Sequence, residues 1–393
     1  MVVYQKPHHS ISAVLSPVQA VMLNANICVV LPSPVGYSET FLQAHVERLS
    51  AAVSYLQDFP IDIDYAFPKQ LSNDTGEWLK RTLRVSWHRS VLNPIKSMSL
   101  RKVFRTHNIK IVLAEYGLTG IGIFGLCKEL GIPLVVHFHG SDAYKSEWIE
   151  RYQPSYKKMF AYSGALISVS RHMTEQLVGL GAAREKVFYN PYGIDVGKFK
   201  PACPLRSPLQ VIAVGRFVEK KAPYLTILAF QKLLERLPRA KLVMIGDGPL
   251  RDVCHKIITS LHIEHAVELK GVVNQEDVAR LMQQSRVFVQ HSLVPSSGDS
   301  EGAPNSILEA GASGLPAVST RHAGIPEIVI HGQTGFLVDE GDIDSMAEYI
   351  YQLLTNPELT SEMGKNARAH ISANFSMDRS IEKLWNILEK CCQ

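Results

Sequence analysis

The sequence predicts an α/β protein built from two parallel-sheet domains that face each other across a cleft. Three observations carry this. With 393 residues, the chain has the length of two ordinary domains. Short apolar runs alternate with helical patterns in both halves, as expected where helices cover parallel sheets. Pro201, Pro204 and Pro208 fall between the halves and mark a linker. The expected boundaries are an N-terminal extension at 1–22, a first domain at 23–200, a second at 201–374 and a terminal helix at 375–393, which can cross back onto the first domain.

Composition narrows the class. Apolar residues make up 46% of the chain, as in soluble globular proteins. The six cysteines, Cys28, Cys127, Cys203, Cys254, Cys391 and Cys392, form no metal-spaced set. That argues for a reducing compartment and against a zinc site or a disulfide framework. The apolar stretch 11–30 is broken by Pro17, Gln19, Asn24 and Asn26 and is too polar to span a bilayer. A cytoplasmic protein is expected, at most peripheral on the inner face of the membrane.

Charge is uneven. Residues 1–190 hold 20 Lys and Arg against 14 Asp and Glu, whereas the remainder holds 21 against 23. The excess gathers at 80–105, in Lys80, Arg81, Arg84, Arg89, Lys96, Arg101, Lys102 and Arg105, interleaved with Trp78 and Trp87 on its near side and within it. Two readings stand, an anionic membrane surface or a solvated helix face. No nucleic-acid recognition motif accompanies the charge.

In order, residues 27–31 read as the first strand. The loop P-S-P-V-G-Y with Gly36 and a helix from Ser38 to Leu49 follow, an arrangement suited to a phosphate or sugar at the sheet's carboxyl edge. Asp62 and Asp64 form a D-x-D pair, but the pattern recurs at Asp342 and Asp344 beside a helix cap, so no metal role is assigned. Helical patterns cover 75–92 and 97–107. Strands at 110–114 and 133–138 flank a helix at 120–130. The second strand runs into H-F-H-G-S-D, which sets His139 at a strand's carboxyl end, with His137 expected to face the other way. A strand at 165–169 and a helix to Leu180 complete the first rhythm. The second half restarts with a strand at 210–214, then G-R-F-V-E-K-K-A-P and a helix to Leu237. After a strand at 241–245 comes G-D-G-P-L-R. Gly246 and Gly248 make a Rossmann-like turn, whereas Arg251 occupies the third glycine position of a dinucleotide fingerprint. Strands at 267–271 and 287–291 follow.

Residues 300–320 read S-E-G-A-P-N-S-I-L-E-A-G-A-S-G-L-P-A-V-S-T. Pro304 suits a first helical turn and Asn305 a cap; a buried strand at 315–320 follows the helix. Glu301 then lies before the helix and Glu309 about one turn inside it. The free N–H groups between them suit an anion flanked by hydroxyl-rich groups, as in a sugar nucleotide. An exposed acidic helix start is the alternative. Beyond it, helices are expected at 343–354, 357–374 and 377–390.

E-G-A-P-N-S-I-L-E-A resembles the E-x7-E signature of retaining GT-B glycosyltransferases of family 4, the glycosyl transferases group 1. The following G-L-P-A-V-S-T, H-A-G-I-P-E-I-V and G-Q-T-G-F-L-V resemble that family's next segments, and S-E-T-F at 38–41 and N-P-Y-G-I-D at 190–195 resemble others. The likeness is dense in the C-terminal half and nearest to bacterial exopolysaccharide-type members. It implies a GT-B fold of two Rossmann-like domains, with donor in the second and acceptor in the first. It implies catalytic roles for His139, Glu301, Arg216 and Lys221. Donor contacts would come from Gly36, Arg216, Lys221, Gly246, Gly271, Val272, Glu301, Gly302, Ala303, Pro304, Asn305, Ser306 and Glu309, and Asp142 would lie on the acceptor side. Arg216 and Lys221 would grip the donor diphosphate in place of a metal; Lys220 competes with Lys221 for this role, and spacing favours Lys221. The family usually has Gly after that lysine, where this chain has Ala222, and two adjacent glycines where it has Gly36 alone. The implied partners are a nucleotide sugar and a saccharide or lipid-linked saccharide acceptor, with no cofactor. A catalytically silent sugar-nucleotide sensor or assembly subunit is the rival reading. A phosphorylase or an epimerase on the same fold is a rival within enzymes, although no local motif supports a phosphorylase's cofactor lysine, and the missing third glycine opposes an NAD enzyme.

Overall fold

A computed structural model describes residues 3–5, 26–32, 40–49, 53–56, 93–204 and 206–392. Two sheets organise them. The first contains β1 (Val3–Gln5), β2 (Asn26–Val30), β3 (Val53–Leu56), β4 (Ile109–Glu115), β5 (Leu134–His137), β6 (Ala165–Ser168) and β7 (Val187–Tyr189), in the order β1-β3-β2-β4-β5-β6-β7. The second contains β8 (Gln210–Val214), β9 (Lys241–Ile245), β10 (Val267–Gly271), β11 (Val287–Gln290), β12 (Ala317–Thr320) and β13 (Gly335–Val338), in the order β10-β9-β8-β11-β12-β13. All neighbours pair in parallel except β1 with β3. Strand order reverses between β2 and β4 in one sheet and between β8 and β11 in the other. Such switch points open a crevice at the strands' carboxyl ends.

Strand composition explains the burial. Residues 111–114 on β4, 134–136 on β5 and 165–167 on β6 are apolar and wholly buried, as strands covered on both faces require. Part of the expected extension at 1–22 joins the fold, because Val3–Gln5 pairs antiparallel with β3 and so covers an edge that would otherwise present unpaired backbone groups. Between His139 and Ala165, where the sequence reading has no element, lies the helix Ser146–Tyr162 with Pro154 inside it. Its apolar face is Tyr156, Met159 and Phe160, all buried.

The helix Met377–Cys392 packs against β4, β5 and the helix Thr40–Arg48 of the first domain. Its seat is the N-P-Y-G-I-D segment. Asn190 Nδ2 donates to the Ser380 carbonyl at 3.1 Å, and Ser380 Oγ donates to the Pro191 carbonyl at 2.8 Å. A Cβ on Gly193 would lie 2.5 Å from Met377 Cα, so only glycine fits there.

Candidate active site

One cavity of about 310 Å³ lies where the two switch points face each other. The second domain contributes Arg216, Lys221, the turn 301–304, Asn305, Ser306 and Glu309; the first contributes Phe41, Tyr116, His139 and Tyr192.

The cationic side begins at the end of β8. Gly215 and the exposed Arg216 leave the strand, and the turn Glu219–Lys221 brings two lysines to the cavity. Lys220 Nζ lies 3.1 Å from Asp299 Oδ1 and 3.2 Å from the Ser300 carbonyl. Lys221 Nζ lies 3.2 Å from Glu301 Oε1 and donates to Gln290 Oε1, also at 3.2 Å. Burial pushes the Lys221 ammonium down from its ordinary range, and Glu301 opposes that shift. Ala222 sits at φ +34°, a left-handed conformation that disfavours any Cβ.

Glu301 is buried. Burial pushes its carboxyl up, but Lys221 and Lys220 outweigh that and hold it at about 2. Its backbone N–H donates to His322 Nε2 at 3.2 Å, and His322 Nδ1 is 2.6 Å from Glu340 Oε1. An acceptor role for Nε2 assigns the proton to Nδ1. The glutamate is thus held ionised and fixed in direction.

The helix Asn305–Ala312 starts directly after this turn. Pro304 is its cap residue and makes no side-chain capping bond, while Asn305 is its first helical residue. The expected Asn305 cap is therefore absent. The Pro304 carbonyl instead accepts from Ile307 and Leu308, and the helix's first N–H groups remain directed outward. Ser306 Oγ donates to Gln290 Oε1 at 2.9 Å. Glu309 keeps part of its surface open to the cavity; burial pushes its carboxyl up to about 7, against a hydrogen bond from Gln275. The two glutamates of one motif thus differ widely in acidity, because only Glu301 faces cations.

Across the cavity, His139 Nδ1 lies 2.9 Å from the Tyr192 hydroxyl, and Nε2 lies 2.8 Å from Glu115 Oε2. Both ring nitrogens are committed, so His139 presents its ring face and edge. Phe41 stacks on Tyr192 with centroids 4.3 Å apart, and Tyr116 tilts against His139 at 4.5 Å. Tyr116 is held at φ +73°, a costly conformation for a bulky residue and one found at functional sites. The resulting aromatic wall suits the apolar face of a sugar ring.

The two domains touch at glycine. A Cβ on Gly302 would lie 2.5 Å from the His139 carbonyl oxygen. Within the second domain, Gly246, at φ +132°, packs against the Gly215 carbonyl, where a Cβ would lie 2.0 Å away. Gly246, Ala303 and Val272 also line the cavity, whereas Gly271 ends β10 at φ +71°.

Two expectations require correction. Asp142 is fully buried and does not line the cavity. Its carboxylate accepts from the backbone N–H groups of Gly117, His139 and Gly140, at 2.8, 3.0 and 2.8 Å. It fixes the loop after β5 and does not face an acceptor. His137 does not face away from His139; their ring centroids are 4.4 Å apart. Residues two apart share a strand face, and it is Phe138 that turns to the other side, against Tyr156 and Phe160. Gly36, Asp62, Asp64 and the cations of 80–92 lie outside the described residues. Of the remaining cations in that stretch, Arg101 is paired with Glu129 through two hydrogen bonds of 2.7 and 2.8 Å.

Several site residues escaped the sequence reading. Glu115 carried one signal, an acid just beyond an apolar strand. His322 lay in the quoted H-A-G-I-P-E-I-V. Phe41 and Tyr192 lay in the quoted S-E-T-F and N-P-Y-G-I-D, which gave neither a role, and Gln275 and Gln290 carried no role signal.

Residues 202–370 match the family described as Glycosyl transferases group 1, and residues 45–198 match Glycosyltransferase Family 4. The chain is 30% identical over 285 residues to the amylovoran biosynthesis glycosyltransferase AmsK of Erwinia amylovora, covering 71% of this chain and 70% of that protein. The chain belongs to the glycosyl transferases group 1 family. Within it, the putative colanic acid biosynthesis glycosyltransferase WcaL of Escherichia coli K12 is 29% identical over 305 residues, covering 76% of this chain and 74% of that protein. The fold is similar to that of Anabaena Alr3699/HepE in complex with UDP-glucose. The TM-score is 0.72 at 18% identity, covering 93% of this chain and 99% of the other. The architecture is GT-B, and the chain is a glycosyltransferase by family.

Proposed function

We propose that this glycosyltransferase moves a hexose, with retention, from a nucleotide sugar to a saccharide or lipid-linked saccharide acceptor in exopolysaccharide synthesis. One observation carries the reading. The ion pair of Lys221 with Glu301, the N-terminus of the helix Asn305–Ala312 and Glu309 line one cavity with the aromatic wall of the other domain. The names of AmsK and WcaL support the exopolysaccharide setting.

The donor diphosphate would lie against Arg216, Lys221 and the helix N-terminus, which stabilise the charge that develops on departure. Glu301 would accept from hydroxyls of the donor sugar and Glu309 from the ribose hydroxyls. The C1–O bond to the phosphate breaks and the bond to the acceptor oxygen forms on the same face of the sugar. The acceptor's proton passes to an oxygen of the leaving diphosphate. Arg216 and Lys221 do the work that a metal does in other transferases. His139 and the aromatic wall would position the sugar, and the acceptor would approach from the first domain. The protein would act in the cytoplasm, held peripherally at the inner face of the membrane.

A panel of radiolabelled UDP-, GDP- and ADP-sugars tests the reading, with anomeric configuration of the product read by NMR. Transfer or slow hydrolysis of one donor with a retained anomer is expected. A donor that raises the melting temperature, through the ~2.7 kcal/mol of stabilisation due at hundredfold excess over Kd, yet is neither transferred nor hydrolysed, would leave the silent sensor as the better reading.

A further inference from the structure

Three side chains meet behind the aromatic wall, at the switch point of the first sheet. His45 comes from the helix Thr40–Arg48, Glu115 ends β4 and His137 ends β5. All three are buried, and their ligand atoms lie within 4.8 Å of one another. His45 Nδ1 is 2.7 Å from Glu115 Oε1, and His137 Nδ1 is 3.6 Å from Glu115 Oε2. His139 Nε2 approaches that same Oε2 at 2.8 Å. None of the three lines the cavity.

His137 poses the question. It is 1% exposed, and neither ring nitrogen has a hydrogen-bond partner among the described residues. A buried imidazole must donate from one nitrogen and accept at the other, and leaving both unmet is costly. A neutral imidazole with a free ring nitrogen is the form that binds a metal. A carboxylate stands beside it, and a second imidazole beside that. Two imidazoles and one carboxylate form a donor set for zinc or a similar transition-metal ion, whereas magnesium and calcium prefer oxygen donors.

We propose that His45, Glu115 and His137 bind one such divalent cation. A tetrahedral zinc at its usual bond lengths holds ligand atoms about 3.4 Å apart, so the widest gap closes by side-chain adjustment. The ion's role is positional. It ties the helix Thr40–Arg48 to the strand ends, and with it Phe41, which stacks on Tyr192. Glu115 would then bridge the ion and His139 as a carboxylate that orients a cavity side chain. The ion lies behind the cavity wall and does not replace Lys221 or Arg216 at the diphosphate. Cysteine spacing could not reveal it, because the ligands are histidine and glutamate brought together by the fold.

The test uses the full chain purified without a histidine tag. Its metal content is measured by plasma mass spectrometry, and the metal-free protein is titrated with Co²⁺ while visible d–d absorption is followed. Bound zinc, or a Co²⁺ band saturating at a single equivalent, is expected. The band should vanish in His137→Phe and His45→Ala and persist in Glu309→Gln, which alters only the cavity. Folded wild-type protein that carries no metal and gives no Co²⁺ band overturns the proposal, as does a band unchanged in both histidine variants. Should the variants fail to fold, the wild-type metal content and band still decide.

Discussion

Lys221 Nζ lies 3.2 Å from Glu301 Oε1, inside a cavity that both domains line. The lysine is the last residue of a turn and the glutamate precedes a helix far along the chain, so their meeting belongs to the fold. If Lys221 stabilises the departing diphosphate, Lys221→Met should lower kcat by ~10²–10³, the typical cost of losing one preorganised donor. Lys220→Met should cost less, since Asp299 and the Ser300 carbonyl engage Lys220. Steady-state kinetics with saturating donor distinguishes them; equal losses would show that neither lysine has the special role.

Glu309 gives a pH signature. Burial lifts its carboxyl from the ordinary 4.5 to about 7. Hydrogen bonds from ribose hydroxyls favour the ionised form, so donor binding should expel a proton. Affinity should then rise with pH up to about 7 and flatten above it, by at most about tenfold per unit. Stability runs the other way: an acid whose folded pKa is raised stabilises the fold fully below about 4.5, and that contribution is lost as pH climbs to about 7. Calorimetric titration should show both trends abolished in Glu309→Gln. Donor affinity should be weaker in Glu309→Gln than in Glu309→Asp, by ~1.5–3 kcal/mol if a charged acceptor is lost. An equal loss toward a donor analogue lacking both ribose hydroxyls would refute the assignment.

Glycine at 302 permits the domains to close. Its absent Cβ would meet the His139 carbonyl oxygen at 2.5 Å, a backbone atom that cannot rotate away. Gly302→Ala should raise the donor KM while leaving the melting temperature little changed, with ~1–3 kcal/mol of overpacking strain relieved by opening the cleft. X-ray scattering of the variant should show a larger radius of gyration; an unchanged one would place the strain elsewhere.

Transfer should proceed without added magnesium or manganese, because Arg216, Lys221 and a helix N-terminus supply the positive charge. Initial rates should be insensitive to either ion and to brief chelation. Activity lost to EDTA and restored by Mn²⁺ would contradict this. A buried cation at His45, Glu115 and His137 is a separate matter, read by metal content and spectrum.

The stretch 80–105 should bring the protein to anionic vesicles at low salt and release it at high salt, as surface cations worth ~1 kcal/mol each near such a leaflet would. Arg101, paired with Glu129, should contribute little. Reversing Arg81, Arg84 and Arg89 to Glu should abolish flotation and leave nucleotide binding intact. Wild-type protein that fails to float at low salt would make the stretch a solvated face. Among the described residues no helix is long and apolar enough to cross a membrane, which makes vesicle binding the informative assay.

The sequence by itself determined the alternation of strands and helices, the linker prolines and the order of the motifs on the second sheet. These are local properties: side-chain period, turn residues and short spacing survive in one dimension. Its motifs, through their resemblance to the family, marked Arg216, Lys221, Glu301 and Glu309. Only the tertiary structure decided their chemistry. Glu301 is held at about 2 and Glu309 at about 7 because one faces two lysines from the turn Glu219–Lys221 after β8 and the other does not. Asp142, legible as part of a motif, became a buried anchor because three backbone N–H groups converge on it. The sequence singled out His139 but not its meeting with His45, Glu115 and His137. The members of this cluster come from one helix and two strand ends, and only the parallel register of β4 with β5, where Glu115 stands opposite His137, brings them together.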